Sequence, residues 1–305
     1  MLVRAAGSFM ANREPGTHQL TLLVEGDAEI ERALRKILEP QGWEIVLAVG
    51  VEDALEQVNL RQFGLIVTAG HTSGAEDVEL LRKMRRVHAH TRMIIVTDES
   101  TPKDVLDSMR ERAFSYFAKP FAMESFEHIV DIAINCPCWD DGIEVVSATP
   151  DWLNLQVRCD PNVADRLLQF MREISDLPDK EGRDAGVAFR EVLLNAMEHG
   201  GHFDPEEYVE ISYVRTRKMV TCRIKDPGKG FSLQELKHSA LANPPGDPLK
   251  HAMVREEQGM RPGGYGVLLA RHLVDEMLYN EKGNEVFLVK YLGQARPWTG
   301  SAQSL

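Results

Sequence analysis

Between residues 19 and 135, short apolar runs alternate with amphipathic stretches five times over, and nothing else in the chain restricts its fold as strongly. QLTLLVE at 19–25, WEIVLAV at 43–49, LIVTAG at 65–70, MIIVT at 93–97 and FSYF at 114–117 have the length and apolar content of buried strands. Between and after them, residues 27–42, 51–60, 76–87, 102–111 and 125–134 carry apolar side chains at helical spacing. The first of these stops at Pro40 and Gly42, where the chain loses a donor and gains turn freedom. Strands that alternate with helices predict a parallel sheet covered on both faces, an α/β doubly wound fold with five strands. On such a sheet, ligands sit at the C-terminal ends of the strands.

The pattern breaks at 136–150, CPCWDDGIEVVSATP, which reads as a linker. A different rhythm follows over 151–293. WLNLQVRC (152–159), YVEISYV (208–214), MVTCRIKD (219–226) and NEVFLVKYL (284–292) read as strands. Helical spacing occupies 162–177, 187–199 and 266–277, the stretch 179–186 is polar, and 231–262 is rich in loop residues. Strands before and after helices predict an α+β sandwich, with helices on one face of a mixed sheet. Residues 1–18 read as a loose leader and 294–305 as a tail, and there is no internal repeat or low-complexity tract.

The formal net charge of −12 repels phosphate backbones, which argues against nucleic acid as a partner. An acidic surface suits a basic protein partner instead. No apolar run approaches the roughly 20 residues of a membrane span, so a cytoplasmic protein without a membrane partner is expected. Cys136 and Cys138 form a C-P-C with no second pair at zinc spacing. Together with Cys159 and Cys222 they read as reduced thiols, the alternative being a redox or metal pair at Cys136 and Cys138.

Three features of the second half carry chemistry. On the helix VAFREVLLNAMEH, Glu191, Asn195, Glu198 and His199 share one face, while Phe189, Val192, Leu193, Ala196 and Met197 share the other. Alone, this is an amphipathic helix with a solvated face. About 30 residues on, DPGKG (226–230) follows a strand, offering a carboxylate acceptor in a turn that permits close backbone approach. Then PGGYG (262–266) runs into an apolar helix, the arrangement that lets backbone N–H groups cradle phosphate. Each signal is weak by itself.

In this order and spacing, the three resemble the ATP-binding domain shared by gyrase, Hsp90, histidine kinases and MutL. EVLLNAMEHGG is similar to its N-box, DPGKGF to its first glycine box and PGGYGVLLARHLVDE to its second. The detailed form resembles the anti-sigma-factor serine kinases, which act by partner switching. The resemblance implies ATP and Mg²⁺ as cofactors. It implies that Asn195 ligates the metal and that Glu191 is the general base for an incoming hydroxyl. It further implies that Asp226 holds the adenine amine with Gly228 and Gly230 beside the base, and that Gly263, Gly264 and Gly266 wrap the phosphates. His199 would be structural. Within 231–262, Lys250, His251 and Arg255 are candidates to reach phosphate, and spacing singles out none of them. A sensor histidine kinase would need a phosphoacceptor histidine on a helical hairpin before the N-box. The residues between the linker and Glu191 contain no histidine and begin with a strand.

The first half resembles a response-regulator receiver domain. FGLIVTAGHTSGAEDVELL (63–81) aligns without gaps on the family's third strand and following loop, MIIVTDES carries its threonine at Thr97, and SYFAKPF carries Tyr116, Lys119 and Pro120. The phosphorylation chemistry is missing. Ala69 stands where the family has its phosphoacceptor aspartate, and a methyl group is no nucleophile. The acidic pair reads Glu25-Gly26, and Asp27 is expected to point to the other side of the strand end. Thr68, Asp77 and Asp98 are the alternative acceptors. Thr97 and Lys119 would be remnants, or would hold the loops in one state. The combined expectation is a serine/threonine kinase acting on an antagonist protein and binding a sigma factor, with the degenerate receiver as a contact module and a homodimer implied by the resemblance. The alternative is a nucleotide-gated binding module without phosphotransfer.

Overall fold

The computed structural model describes residues 19–69, 73–89, 91–135, 142–175, 177–230 and 265–292. The chain divides into two compact units, Met1–Ser100 with Ala113–Asp141, and Thr101–Arg112 with Gly142–Leu305.

Five strands, β1 (Leu20–Val24), β2 (Glu44–Ala48), β3 (Leu65–Thr68), β4 (Arg92–Thr97) and β5 (Ser115–Ala118), form one sheet in the order β2-β1-β3-β4-β5. All neighbours are parallel, as five strand–helix repeats require. The helices are α1 (Ala28–Leu38), α2 (Gly50–Leu60), α3 (Gly74–Val87), α4 (Pro102–Arg110) and α5 (Met123–Asn135). Local chemistry sets their starts. Ser73 and Glu76 form a capping box on α3, and Thr101 and Asp104 form one on α4. Leu34, Phe126 and Val130 from α1 and α5 pack with Leu23, Val67 and Ile94 of the sheet in one buried core. Val24 lies in register with Thr68, and Thr97 with Ala118. The residues just beyond them, Glu25, Ala69, Asp98 and Lys119, therefore converge on one edge.

The second unit holds β6 (Ile143–Thr149), β7 (Trp152–Arg158), β8 (Tyr208–Arg215), β9 (Met219–Lys225), β10 (Glu276–Tyr279) and β11 (Glu285–Tyr291), in the order β10-β11-β9-β8-β7-β6. Its other helices are α6 (Pro161–Ser175), α7 (Asp179–Asn195) and α8 (Gly266–Leu273). One sheet face buries Leu153, Leu155, Val157, Val209, Ile211, Tyr213, Cys222 and Ile224. The alternate positions carry charge: Arg223 pairs with Glu285 and Glu210, and Lys225 lies 2.9 Å from Glu210. A sheet covered on one side demands this alternation.

Four expectations change. The sheet is antiparallel throughout rather than mixed, because tight turns join β6 to β7, β8 to β9 and β10 to β11. Part of the expected linker is strand β6, whose period of two is broken by a register shift between Val145 and Ser147. The polar stretch 179–186 is the first half of α7. Gly182 and Gly186 weaken the helix signal there, yet the turns form on packing against α6, with Leu168 beside Gly186. Finally, the helix expected over 266–277 ends at Leu273. Val274 is extended, and Glu276–Tyr279 instead complete backbone hydrogen bonding along β11. Residues 231–264, with the candidates Lys250, His251 and Arg255, lie outside the described residues. Among the described residues, no helix is long and apolar enough to cross a membrane.

Candidate functional site

Helix α7 is the spine of the site. Val192, Leu193 and Met197 are buried against the sheet, which leaves Glu191 and Asn195 on the half-buried opposite face. The first residue of α8, Gly266, arrives beside both. A Cβ at 266 would collide with Glu191 Oε2 and would lie 3.7 Å from Asn195 Nδ2. Residues 75 positions apart in the chain thus share one locus, at a helix N-terminus whose free N–H groups favour negative charge. Gly263 and Gly264 lie outside the described residues.

A second cluster forms at the far end of the same helix. After Asn195 the backbone widens into a π-helical turn, Ala196–Gly200, closed by Gly201 N–H donating to Ala196 O at 3.0 Å. This turn sets Gly200 against Asp226, where any Cβ would overlap the carboxylate. Asp226 Oδ1 accepts from Gly228 N at 2.8 Å. Among the described residues, Oδ2 accepts no hydrogen bond from a neighbouring side chain or turn. Burial raises the pKa of Asp226, against the Gly228 N–H and the Lys282 charge, which lower it. Gly230 follows with φ +82°, its α-carbon against the Lys282 carbonyl. His199 is exposed in the same π turn. From Glu191 to Gly200 the helix rises about 13 Å, at 1.5 Å per residue, so the two clusters are spaced for an elongated ligand.

Several residues here are not apparent in the sequence. Asn280, Lys282 and Asn284 form a turn against the Asp226 loop, and Tyr279 sits close enough that burial and the Asp226 charge push its hydroxyl up to about 12. Cys159 underlies Gly201, and burial, followed by the charges of Glu207, Asp226 and Asp204, pushes its thiol up to about 11. Burial alone pushes Cys222 up to about 12, and both described cysteines are buried and outside any disulfide, surroundings that disfavour the thiolate. Cys136 and Cys138 lie outside the described residues.

The edge of the parallel sheet is a different kind of site. Glu25, Gly26, Asp27, Ala28, Glu29, Arg32, Ala69 and Lys119 line a cavity of about 460 Å³. Ala69 is fully buried. Lys119 Nζ lies 3.2 Å from each of Asp27 Oδ2, Asp98 Oδ1 and the Ala69 carbonyl. Asp27 therefore faces the cavity, contrary to the expected orientation. The strand ends at Val24 and Glu25 adopts φ +51°, so side-chain alternation stops before Asp27. Asp27 also caps α1, accepting from Glu29 N at 2.7 Å. That bond, with Lys119 behind it, holds the Asp27 carboxyl below its usual range. Burial pulls Lys119 down, but its bonds to Asp98 and Asp27 outweigh it and raise the ammonium. Of the alternative acceptors, Thr68 Oγ1 is buried on the Val96 backbone, Asp77 is buried on α3 and Asp98 pairs with Lys119, while the remnant Thr97 Oγ1 donates to Glu99 O.

Both halves match known families. Residues 157–290 match the sequence model of the histidine kinase-like ATPase domain, and residues 21–131 that of the response regulator receiver domain. The chain joins a receiver domain to a histidine kinase-like ATPase domain. Similar proteins include the probable transcriptional regulator ycf29 of Porphyra purpurea, 26% identical over 36% of this chain and 53% of that protein. The response regulator protein FleR of Pseudomonas aeruginosa is 28% identical over 36% of this chain and 23% of its own length. Sporulation initiation phosphotransferase F of Bacillus subtilis is 24% identical over 36% and 88%. The chain thus spans about half the length of the first of these relatives and about a quarter of the second. A CheY-like receiver domain structure from Methanospirillum hungatei JF-1 is 24% identical, with a TM-score of 0.33 over 38% of this chain and 94% of that one.

Proposed function

We propose that this chain is a regulatory ATP-binding protein, a serine/threonine kinase of the anti-sigma-factor type that phosphorylates an antagonist protein in a partner-switching pathway. The observation that carries the reading is the meeting of Glu191 and Asn195 with Gly266, in a chain whose receiver domain has Ala69 at the acceptor position. A sigma factor and the antagonist are its protein partners, a homodimer its assembly, and the cytoplasm its compartment.

The residues present fit the nucleotide and its metal. Asn195 offers a neutral oxygen, suited to a hard cation whose charge is balanced by phosphates. The glycine at 266 leaves room where a side chain would crowd Glu191. Asp226 Oδ2 is an acceptor for an exocyclic amine. When bound, ATP supplies the phosphoryl group and Mg²⁺ screens its charge. Glu191 takes the proton of the attacking serine or threonine hydroxyl as its oxygen bonds to the γ-phosphorus and the bond to the bridging oxygen breaks. The receiver domain contributes protein contacts, since Ala69 has no side-chain oxygen to phosphorylate and Lys119 is held by two carboxylates.

The test is incubation with Mg-ATP and antagonist proteins bearing a target serine or threonine. ATP binding without any phosphoserine or phosphothreonine would sink the kinase claim. Comparing Glu191→Ala with Asn195→Ala then isolates the alternative, a nucleotide-gated binding module. If only the Asn195 variant abolishes regulation, binding rather than phosphotransfer is the function.

A further inference from the structure

The Asp226 carboxylate has one oxygen committed to Gly228 N and one open, so the direction of the open oxygen depends on the backbone of residues 226–228. That backbone is held from the turn between β10 and β11. Asp226 N donates to Asn284 O at 3.0 Å. Asn284 Nδ2 donates to Asp226 O and to Gly228 O, each at 3.4 Å, and Lys282 Nζ reaches Gly228 O at 3.3 Å.

The division of labour within the turn matters. Asn280 closes it: its Oδ1 accepts from Gly283 N at 2.8 Å and Asn284 N at 3.1 Å, and its carbonyl accepts from Gly283 N at 3.1 Å. The Asn284 amide oxygen joins this closure, whereas the contacts of its amide nitrogen leave the hairpin for the Asp226 loop. Its side chain is buried, 6% exposed, with its oxygen taken by Asn280 Nδ2 at 3.0 Å and both donor contacts spent on the Asp226 loop. A buried amide costs stability unless its groups are matched, and here it is the Asp226 loop that matches the donors. On the opposite side, the Gly200 α-carbon closes against the same carboxylate.

We infer that Asn284, supported by Lys282, is a positioning residue for base recognition: it holds the Asp226 turn so that Oδ2 meets an amino group and rejects a carbonyl at the same place on a purine. The inference rests on the nucleotide reading above. Oδ2 facing a 6-oxo group receives no donor from it and loses its bond in a half-buried place, which is the strong form of discrimination.

The experiment measures the affinity of the full chain for ATP and for inosine triphosphate, which differ in the 6-amino against the 6-oxo group and in the proton that accompanies it on N1, by calorimetry. The intact chain should prefer ATP by about 100-fold or more. In Asn284→Ala the ratio should narrow about tenfold, the effect of one lost buried hydrogen-bonding group. Lys282→Ala, at an exposed side chain, should narrow it less and guards against an Asn284 variant that fails to fold. Equal losses for both nucleotides, with the ratio intact in both variants, would mean that the turn only supports the fold, and would overturn the inference. So would an intact chain that binds both equally. An intact chain that binds neither overturns the nucleotide reading itself.

Discussion

The two sites of this chain use the same materials to opposite ends. At the edge of the parallel sheet, carboxylates surround a lysine, and the position that could have offered a nucleophile is an alanine. At the end of α7, carboxylates face glycines whose missing side chains keep space beside them. In the first site Lys119 and the carboxylates of Asp27 and Asp98 answer one another from within the protein. In the second, Asp226 bears the cost of burial with an oxygen to spare. A polar cluster that satisfies itself is a structural element, whereas one left incomplete at some cost awaits a ligand.

The sharpest way to break this contrast is to remove the proposed base. Glu191→Gln should lower phosphotransfer by about 10² to 10⁴-fold while leaving ATP affinity nearly unchanged, read from single-turnover transfer to the antagonist. Equal transfer by the variant would reduce Glu191 to a helix-face carboxylate. Filling the reserved space comes next. Gly266→Ala pushes a methyl into Glu191 and should cost on the order of 100-fold in turnover through misplacement, with circular dichroism unchanged. Turnover that survives the methyl would show that α8 approaches less closely than the structure has it.

The receiver site should respond more weakly. Lys119→Met removes the cation between Asp27 and Asp98, partly exposed groups, and should cost at most about 1 kcal/mol in urea unfolding. The sign with pH follows from Asp27, whose folded pKa is lowered. Its contribution is present above the ordinary carboxylate value of 3.8 and is lost as pH falls through the folded value. The variant should lose less stability over that acid window, although the Glu29 N–H remains. Acetyl phosphate and beryllofluoride should leave the intact chain unaltered.

The smallest effect has the opposite sign. The folded pKa of Asp226 is raised, so its ionisation weakens the fold as pH rises through that value. Asp226→Asn should therefore melt slightly higher than the intact protein at neutral pH, while losing its preference for ATP. Affinity of the intact chain for ATP should also fall as pH drops through the same pKa, because protonation removes the acceptor. A lower melting temperature in the variant would make Asp226 a structural carboxylate like Asp27.

Much of this was legible in the linear order of residues. The five-fold alternation sufficed for the parallel sheet, because strand and helix periods are local properties. Glu191 and Asn195 could be put on one helix face, and Ala69 could be recognised as lacking chemistry, without coordinates. Other residues resisted for definite reasons. The direction of Asp27 escapes the strand pattern because alternation holds only while the strand continues, and Glu25 leaves it with positive φ. Strand β10 was hidden because VDEM continues a helical pattern, and only hydrogen bonds to β11 favour the extended form. Asn284 looks like an ordinary turn residue, since its amide donors reach a loop 56 and 58 positions away.

The sequence by itself therefore determined the two architectures, the shared helix face of Glu191 and Asn195 and the alanine at position 69, all of which depend on residue type and on spacing within one element. Tertiary structure alone decided which carboxylates are neutralised and which are left open. That depends on the partner brought up from elsewhere in the chain: Lys119 onto Asp27, Gly266 onto Glu191, and Gly200 and Asn284 onto Asp226. Charge compensation acts over a few ångströms of space, whatever the distance along the chain.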